Sequence, residues 1–188
     1  MNTTPVSLLQ RLQRPDDSEA WNHFVALYRP LFFAWVKRLN VPASDADDLV
    51  QEVLVVLVGN LPQFQRRATG SFRSWLRIVT RNKWLELQRR RHAQPVGDGA
   101  ALAMAEAPDH AEQFWETEFR ERLLARALEL MKSDFQESTW QAAWEVIVSE
   151  KTPAAVAMSL GMTIGAVRAA RFRVVTRLRQ DLAGMLDD

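Results

Sequence analysis

Arginine side chains dominate the residues of this chain that could do chemistry. Nine basic residues lie between Gln65 and His92, with Glu86 as the one acid among them. A second basic segment, from Thr163 to Gln180, holds five arginines and no acid. A guanidinium group matches the geometry of a phosphate. Two such segments therefore favour two contacts with a polyanion.

The second basic segment follows the signature of two helices joined by a tight turn. Thr152 and Thr163 are good N-cap residues. Pro153 suits the first turn of a helix, and Gly161 suits the left-handed residue that ends one. These signals predict a helix-turn-helix, whose second helix enters the DNA major groove. The predicted DNA-binding residues of this unit are Thr163, Arg168, Arg171, Arg173, Thr176 and Arg177.

An acidic helix precedes the first basic segment. By helical spacing Asp48, Gln51 and Glu52 share one face, away from the apolar residues of the same run. An acidic face repels DNA, so the pattern favours a basic protein partner or a plainly solvated surface. Ser44 is the predicted N-cap of this helix.

The spacing of apolar residues is helical almost throughout the chain and predicts the all-α class. Segment 94–111 is rich in proline, glycine and alanine, which is typical of a flexible linker. The prediction is therefore two small helical domains, 1–93 and 112–188, joined by that linker. Pro30 is expected to kink or restart the helix in which it lies.

Composition excludes several function classes. The 188 residues include no cysteine and three dispersed histidines, which argues against a thiol nucleophile, a metal site or a cofactor enzyme. We therefore predict no enzyme activity, no metal and no cofactor. Apolar runs are too short for a membrane span, and the first residues lack a signal-peptide pattern. These features predict a cytoplasmic protein without membrane insertion.

Taken in order, the three patterns resemble the extracytoplasmic-function sigma factors of bacterial RNA polymerase. Residues 47–53 (Asp-Asp-Leu-Val-Gln-Glu-Val) are similar to the polymerase-binding helix of that family. Residues 72–82 (Phe-Arg-Ser-Trp-Leu-Arg-Ile-Val-Thr-Arg-Asn) are similar to its promoter-melting and −10-reading helix. The helix-turn-helix is similar to its −35-reading domain. The resemblance covers roughly residues 10–182 and implies a sigma region 2-like domain followed by a sigma region 4-like domain.

The resemblance also implies roles for named residues. Those implied to bind core polymerase are Asp48, Leu49, Gln51, Glu52 and Val53. Those implied to bind the melted −10 element are Arg66, Arg67, Arg73, Arg77, Arg81, Asn82 and Lys83. The implied partners are core RNA polymerase, promoter DNA and an anti-sigma factor. The chain departs from the family pattern at Glu86, where an aspartate is usual, and at residues 169–171, where Ser-Arg-Leu is usual.

Two alternative interpretations stay open at this point. A stand-alone helix-turn-helix regulator with a helical interaction domain explains residues 152–179 but gives residues 65–91 no role. A helical interaction protein with exposed tryptophans would contact DNA weakly and with little salt dependence. Of Trp75 and Trp84, Trp84 is the better candidate for stacking on a base. For both residues a position in the core is favoured over stacking.

Overall fold

Eight α-helices build the part of the protein that the structure, a computed structural model, describes: residues 7–14, 16–64, 71–92 and 113–186. No strand occurs in these ranges, which confirms the all-α class. A π-helical turn, Phe114–Glu118, leads directly into the fifth helix. The helices are α1 Leu8–Leu12, α2 Ser18–Arg38, α3 Ala43–Asn60, α4 Phe72–His92, α5 Phe119–Met131, α6 Glu137–Ile147, α7 Pro153–Leu160 and α8 Ile164–Asp181.

Helix α2 passes through Pro30 without ending there, so the prediction of a restarted helix is wrong. Proline lacks an N–H and leaves the carbonyl four residues earlier without its helical donor. That carbonyl belongs to Ala26, and Arg126 of α5 donates to it from Nε at 3.0 Å. The helix is thus continued with help from a side chain that lies 100 residues away in sequence.

Helix α3 begins earlier than the sequence predicts. Its N-cap position is Pro42, and no side chain caps the helix. Ser44 donates its hydroxyl to Asp45 Oδ1 at 2.8 Å instead of capping the helix. The predicted N-cap is therefore wrong. Pro42, with φ of −55° and ψ of 146°, occupies the N-cap position instead.

Aromatic side chains form the centre of the core. Tyr28 of α2 is fully buried, and its ring stacks on that of Phe24 with centroids 4.4 Å apart. Phe72, the first residue of α4, meets Tyr28 edge to face at 6.0 Å. Such offset and edge-to-face pairs are favourable beyond the area that they bury. They fix where α4 starts relative to α2.

The same core continues into the second half of the chain. Phe119 of α5 lies 6.3 Å from Tyr28, and Trp115 lies 6.1 Å from Trp35, centroid to centroid. Leu182 and Met185, which follow α8, also belong to this core. The predicted linker 94–111 lies outside the described residues. The division into two domains joined by it therefore stays a prediction, whereas the packing of α5 on α2 is observed.

Polar contacts reinforce the junction of the two halves. Arg38 of α2 pairs with Glu118 and lies over the ring of Phe114, 5.0 Å from its centroid. His23 Nε2 lies 3.4 Å from Asp181 Oδ2 at the end of α8. Burial raises the pKa of the Asp181 carboxyl, but the nearby His23 and the charge of Arg177 outweigh burial and lower it overall. These contacts hold the ends of α5 and α8 against α2.

No single helix of the described residues is long and apolar enough to span a membrane. The pair α7 and α8 reaches such a length and composition only when counted together, and it is bent by 110°.

We expect Gly184→Ala to lower the free energy of unfolding by about 1 kcal/mol, the cost of a left-handed conformation for an L-residue. Gly184 has φ of +81°, and a Cβ there would lie 3.2 Å from Leu9 Cδ2. The matched control is Gly59→Ala in α3, where a Cβ meets nothing within 4 Å. This control is expected to gain about 0.5 kcal/mol from reduced chain entropy. Urea unfolding followed by tryptophan fluorescence measures both, and equal stability of the two variants would contradict the left-handed conformation of Gly184.

Candidate functional site

One face of α3 points away from the core and combines polar with apolar side chains. Asp48 and Gln51 are exposed, as predicted from their spacing. Val55 is 71% exposed and Val58 is 52% exposed on the same side of the helix. We call these four residues the outer α3 face. Exposed valines beside an acid and an amide are typical of a surface that binds protein, and the sequence analysis missed them because it placed the apolar residues of this helix in the core.

Three other residues predicted to bind polymerase are engaged inside the protein. Leu49 and Val53 are 2% and 1% exposed and pack in the core, so they position the outer α3 face and cannot contact a partner in this structure. Glu52 is half-buried and pairs with α4, at 2.9 Å from Arg90 Nη1 and 3.6 Å from Lys83 Nζ. Asp48 and Gln51 are the two predicted residues that are open to a partner.

Glu52 belongs to an ion-pair network that joins α3 to α4. Lys83 donates to Glu86 at 2.7 Å, and Arg90 donates to both Glu86 and Glu52. The hydrogen bonds from Lys83 and then Arg90 lower the pKa of Glu86 to about 2. Glu86 therefore stays charged well below neutral pH, and the network fixes the orientation of α4 against the outer α3 face.

Helix α4 turns one row of residues inward and another outward. Phe72, Leu76, Thr80 and Trp84 recur every four residues and are buried. Trp84 is 5% exposed and lies in the core, the position that the sequence favours for it over stacking on a base. The opposite row is exposed and consists of Ser74, Ile78 and Asn82, with Arg77 and Arg81 half-buried on its flanks. Asn82 thus lies at the surface as predicted.

Aromatic contacts hold both ends of segment 65–70, which precedes α4. Phe64 packs on Phe72 at 5.4 Å and on Trp75 at 5.1 Å, centroid to centroid. Ser71 accepts a hydrogen bond from the Ser74 backbone N–H at 3.1 Å and caps α4. Arg66 and Arg67 lie in this segment, outside the described residues. Trp75 is half-buried and contacts both Phe64 and Phe72, the latter at 5.7 Å between ring centroids.

Two residues predicted to bind the −10 element make contacts within the protein. Arg73 donates from Nη1 to the backbone oxygen of Trp115 at 3.3 Å, across the junction of the two halves. Lys83 is part of the network with Glu86 and Glu52. Neither contact was visible in the sequence, since both depend on partners brought close by folding. For either residue to bind phosphate, it would have to exchange these partners.

The helix-turn-helix forms as the sequence predicts. Thr152 accepts from the Ala155 backbone N–H at 3.2 Å, and Thr163 accepts from Ala166 at 3.1 Å. Gly161 has φ of +64° and ends α7 in the left-handed conformation. Helices α7 and α8 meet over a small core with a bend of 110° between them, within the range of DNA-binding helix-turn-helix units.

Helix α8 exposes four of its five arginines, Arg179 among them, and Arg177 is half-buried. Arg168, Arg171 and Arg173 are all exposed, including Arg171, which the helical wheel places near the buried side. Arg177 instead faces acids: it donates to Asp181, and its Nη2 lies 3.5 Å from Asp134 Oδ2. Thr163 is exposed and Thr176 is half-buried. Three of the four exposed arginines of α8 therefore lie in its first ten residues, nearest the turn, and Arg179 lies in its last turn.

Residues 24–94 match the family model of sigma-70 region 2. The chain carries a sigma-70 region 2 domain. This domain spans α2, α3 and α4, which together form the outer α3 face, the ion-pair network and the exposed row of α4. The first two of the three motifs that resemble the sigma factors, residues 47–53 and 72–82, thus lie within the residues that the family model covers, and the helix-turn-helix lies outside them.

A longer match supports the same resemblance. The chain is 25% identical over 167 residues to the ECF RNA polymerase sigma factor SigE of Mycolicibacterium smegmatis. The match covers 87% of this chain and 62% of the relative, so the chain spans less than two thirds of that protein's length. Together with the region 2 match, it confirms the resemblance to extracytoplasmic-function sigma factors, and it extends that resemblance beyond the region 2 domain.

We expect Lys83→Ala to raise the pKa of Glu86 from about 2 towards 4.5, because Lys83 supplies the largest of the effects that lower it. A lowered folded-state pKa stabilises the fold at pH above the unfolded value, and this contribution is lost as pH falls towards about 2. Carbon-detected NMR titration of the glutamate carboxyls measures the shift. Arg89→Ala, at an exposed position of α4, is the control and should leave the pKa of Glu86 where it is. An unchanged pKa in Lys83→Ala would refute the network.

Proposed function

We propose that this protein is a sigma factor, which binds core RNA polymerase and directs promoter-specific initiation of transcription. The observation that carries the proposal is the outer α3 face, set within a sigma-70 region 2 domain. An acidic and apolar surface there suits a protein partner, while the basic residues of the chain lie on other helices. Such a protein would need no catalytic group of its own.

The −10 element is assigned to α4 and the segment before it. A polar, basic helix row beside aromatic side chains suits a single strand whose bases are unstacked. Asn82 is exposed, and the ends of segment 65–70 are held by Phe64 and Phe72. In this proposal Arg77, Arg81 and the arginines of the segment neutralise the strand's phosphates.

The −35 element is assigned to the first ten residues of α8. A helix of a helix-turn-helix enters the major groove by its N-terminal residues, and Arg168, Arg171 and Arg173 are exposed there. The proposal leaves Arg177 out of this contact, because Asp181 and Asp134 already neutralise its charge. An anti-sigma factor, the further partner that the resemblance implies, would act by covering the outer α3 face and this part of α8.

A stand-alone regulator fits less well than a sigma factor. It would account for α7 and α8, yet the region 2 domain over residues 24–94 would have no role in it. The two functions differ in one property that is simple to measure, namely binding to purified core polymerase.

We expect Asp48→Arg to weaken binding to core RNA polymerase at least tenfold, because it reverses the charge of the one acid in the outer α3 face. Asp47→Arg is the matched control, with the same charge change on the same helix. Its pairing with Arg29 at 3.3 Å joins two exposed groups and contributes little to stability. Fluorescence anisotropy of labelled full-length protein titrated with core enzyme measures both. Tight binding of Asp48→Arg to core polymerase, or no binding of the folded wild type, would refute the proposed function.

We expect the salt dependence of promoter binding to identify the arginines that touch phosphate. Each phosphate contact contributes about 0.9 to the slope of log K against log salt concentration. Alanine at Arg168, Arg171 or Arg173 should therefore flatten the slope by about 0.9 where that residue meets phosphate. Arg177→Ala should leave the slope unchanged, since its partners are Asp181 and Asp134. A flattened slope in Arg177→Ala would show that this ion pair opens on DNA.

A further inference from the structure

The outermost row of α8 contains an aromatic side chain that nothing in the described structure covers. Val167, Ala170 and Val174 of this helix are buried. Gly165, Ala169 and Phe172 recur at steps of four and three on the opposite side, following the 3.6-residue period of the helix. Phe172 is 70% exposed, on the side of α8 opposite the buried residues. A helix that packs by its buried side presents this opposite side to a partner.

The other residues of the row are too small to keep the helix at a distance. Gly165 has no side chain, and the nearest atom to a Cβ placed there would be Thr163 Oγ1 at 3.9 Å. Ala169 contributes a single methyl group and is exposed. Phe172 is thus the one large side chain on this row, and exposed arginines flank it at Arg168, Arg171 and Arg173. The flanking charge identifies the occupant of this surface as a polyanion.

The chemistry of the major groove narrows what a phenyl ring can recognise there. Base edges present hydrogen-bond donors and acceptors, which a phenyl ring cannot satisfy. Thymine also presents a 5-methyl group, with which phenylalanine makes an apolar contact. We propose that Phe172 reads the 5-methyl group of a thymine in the upstream promoter element. The proposal rests on the proposed function of α8 and adds a base preference to it.

The test compares thymine with deoxyuridine, which lacks only the 5-methyl group. Holoenzyme assembled from the full-length chain and core polymerase selects duplexes from a randomised library, and each thymine of a selected duplex is then replaced in turn. Wild type should lose about fourfold in affinity at one upstream thymine, the effect of burying one methyl group. Phe172→Ala should bind the thymine and deoxyuridine duplexes equally. Met158→Ala, at a methionine of α7 that is 84% exposed, is the control and should keep the wild-type ratio.

Three results would overturn the inference. Wild type could be indifferent to every thymine methyl group, or Phe172→Ala could keep the fourfold ratio. Alternatively, Phe172→Ala could fail to bind core polymerase, which would make Phe172 a contact with protein. A cleft of about 680 Å³, lined by Phe172 together with Val146 and Pro153, could receive such a partner. In each of these three results, the wild-type holoenzyme still selects duplexes from the library, so the proposed function stands. A folded wild type that selects none would instead refute the proposed function, and this inference with it.

Discussion

The burial of aromatic rings around Tyr28 is the constraint on which the rest of the structure depends. Phe72 of α4 and Phe119 of α5 both meet this ring, with centroids 6.0 and 6.3 Å away. Burial raises the pKa of the Tyr28 phenol, and its hydroxyl has no hydrogen-bond partner among the described residues. Helices α2, α4 and α5 therefore converge on one apolar contact. Their outward faces, including the row that carries Ile78 and Asn82, are oriented by it.

Charged side chains divide into a structural and an outward set, and the division follows from this packing. Lys83 and Arg90 lie where α4 meets α3, so they neutralise Glu52 and Glu86 and fix the two helices together. Arg168 and the arginines near it project from α8, where the packing supplies no acid. A count of basic residues along the chain does not distinguish the structural set from the outward set. Their partners in the fold decide which of them remain to meet a polyanion.

The sequence predicted local features well and tertiary ones poorly. The caps at Thr152 and Thr163 and the left-handed Gly161 were predictable, because each depends on its nearest neighbours in the chain. The all-α class followed from the spacing of apolar residues. By contrast, the uninterrupted helix at Pro30 depends on Arg126, and the exposure of Val55 depends on which face of α3 the core takes. Both require knowledge of packing between segments far apart in sequence.

The shared core of the two halves has a consequence for reading two distant DNA elements. Elements centred about 25 base pairs apart lie about 85 Å from each other along a duplex, whereas a compact chain of this length has a radius of gyration of about 16 Å. If α4 and α8 meet both elements at once, as the proposed function requires, contacts between the two halves, such as that of Phe119 with Tyr28, must open. The closed packing then acts as a competitor of promoter DNA within the same molecule. Apparent promoter affinity falls in proportion to the fraction of molecules that are open before they bind.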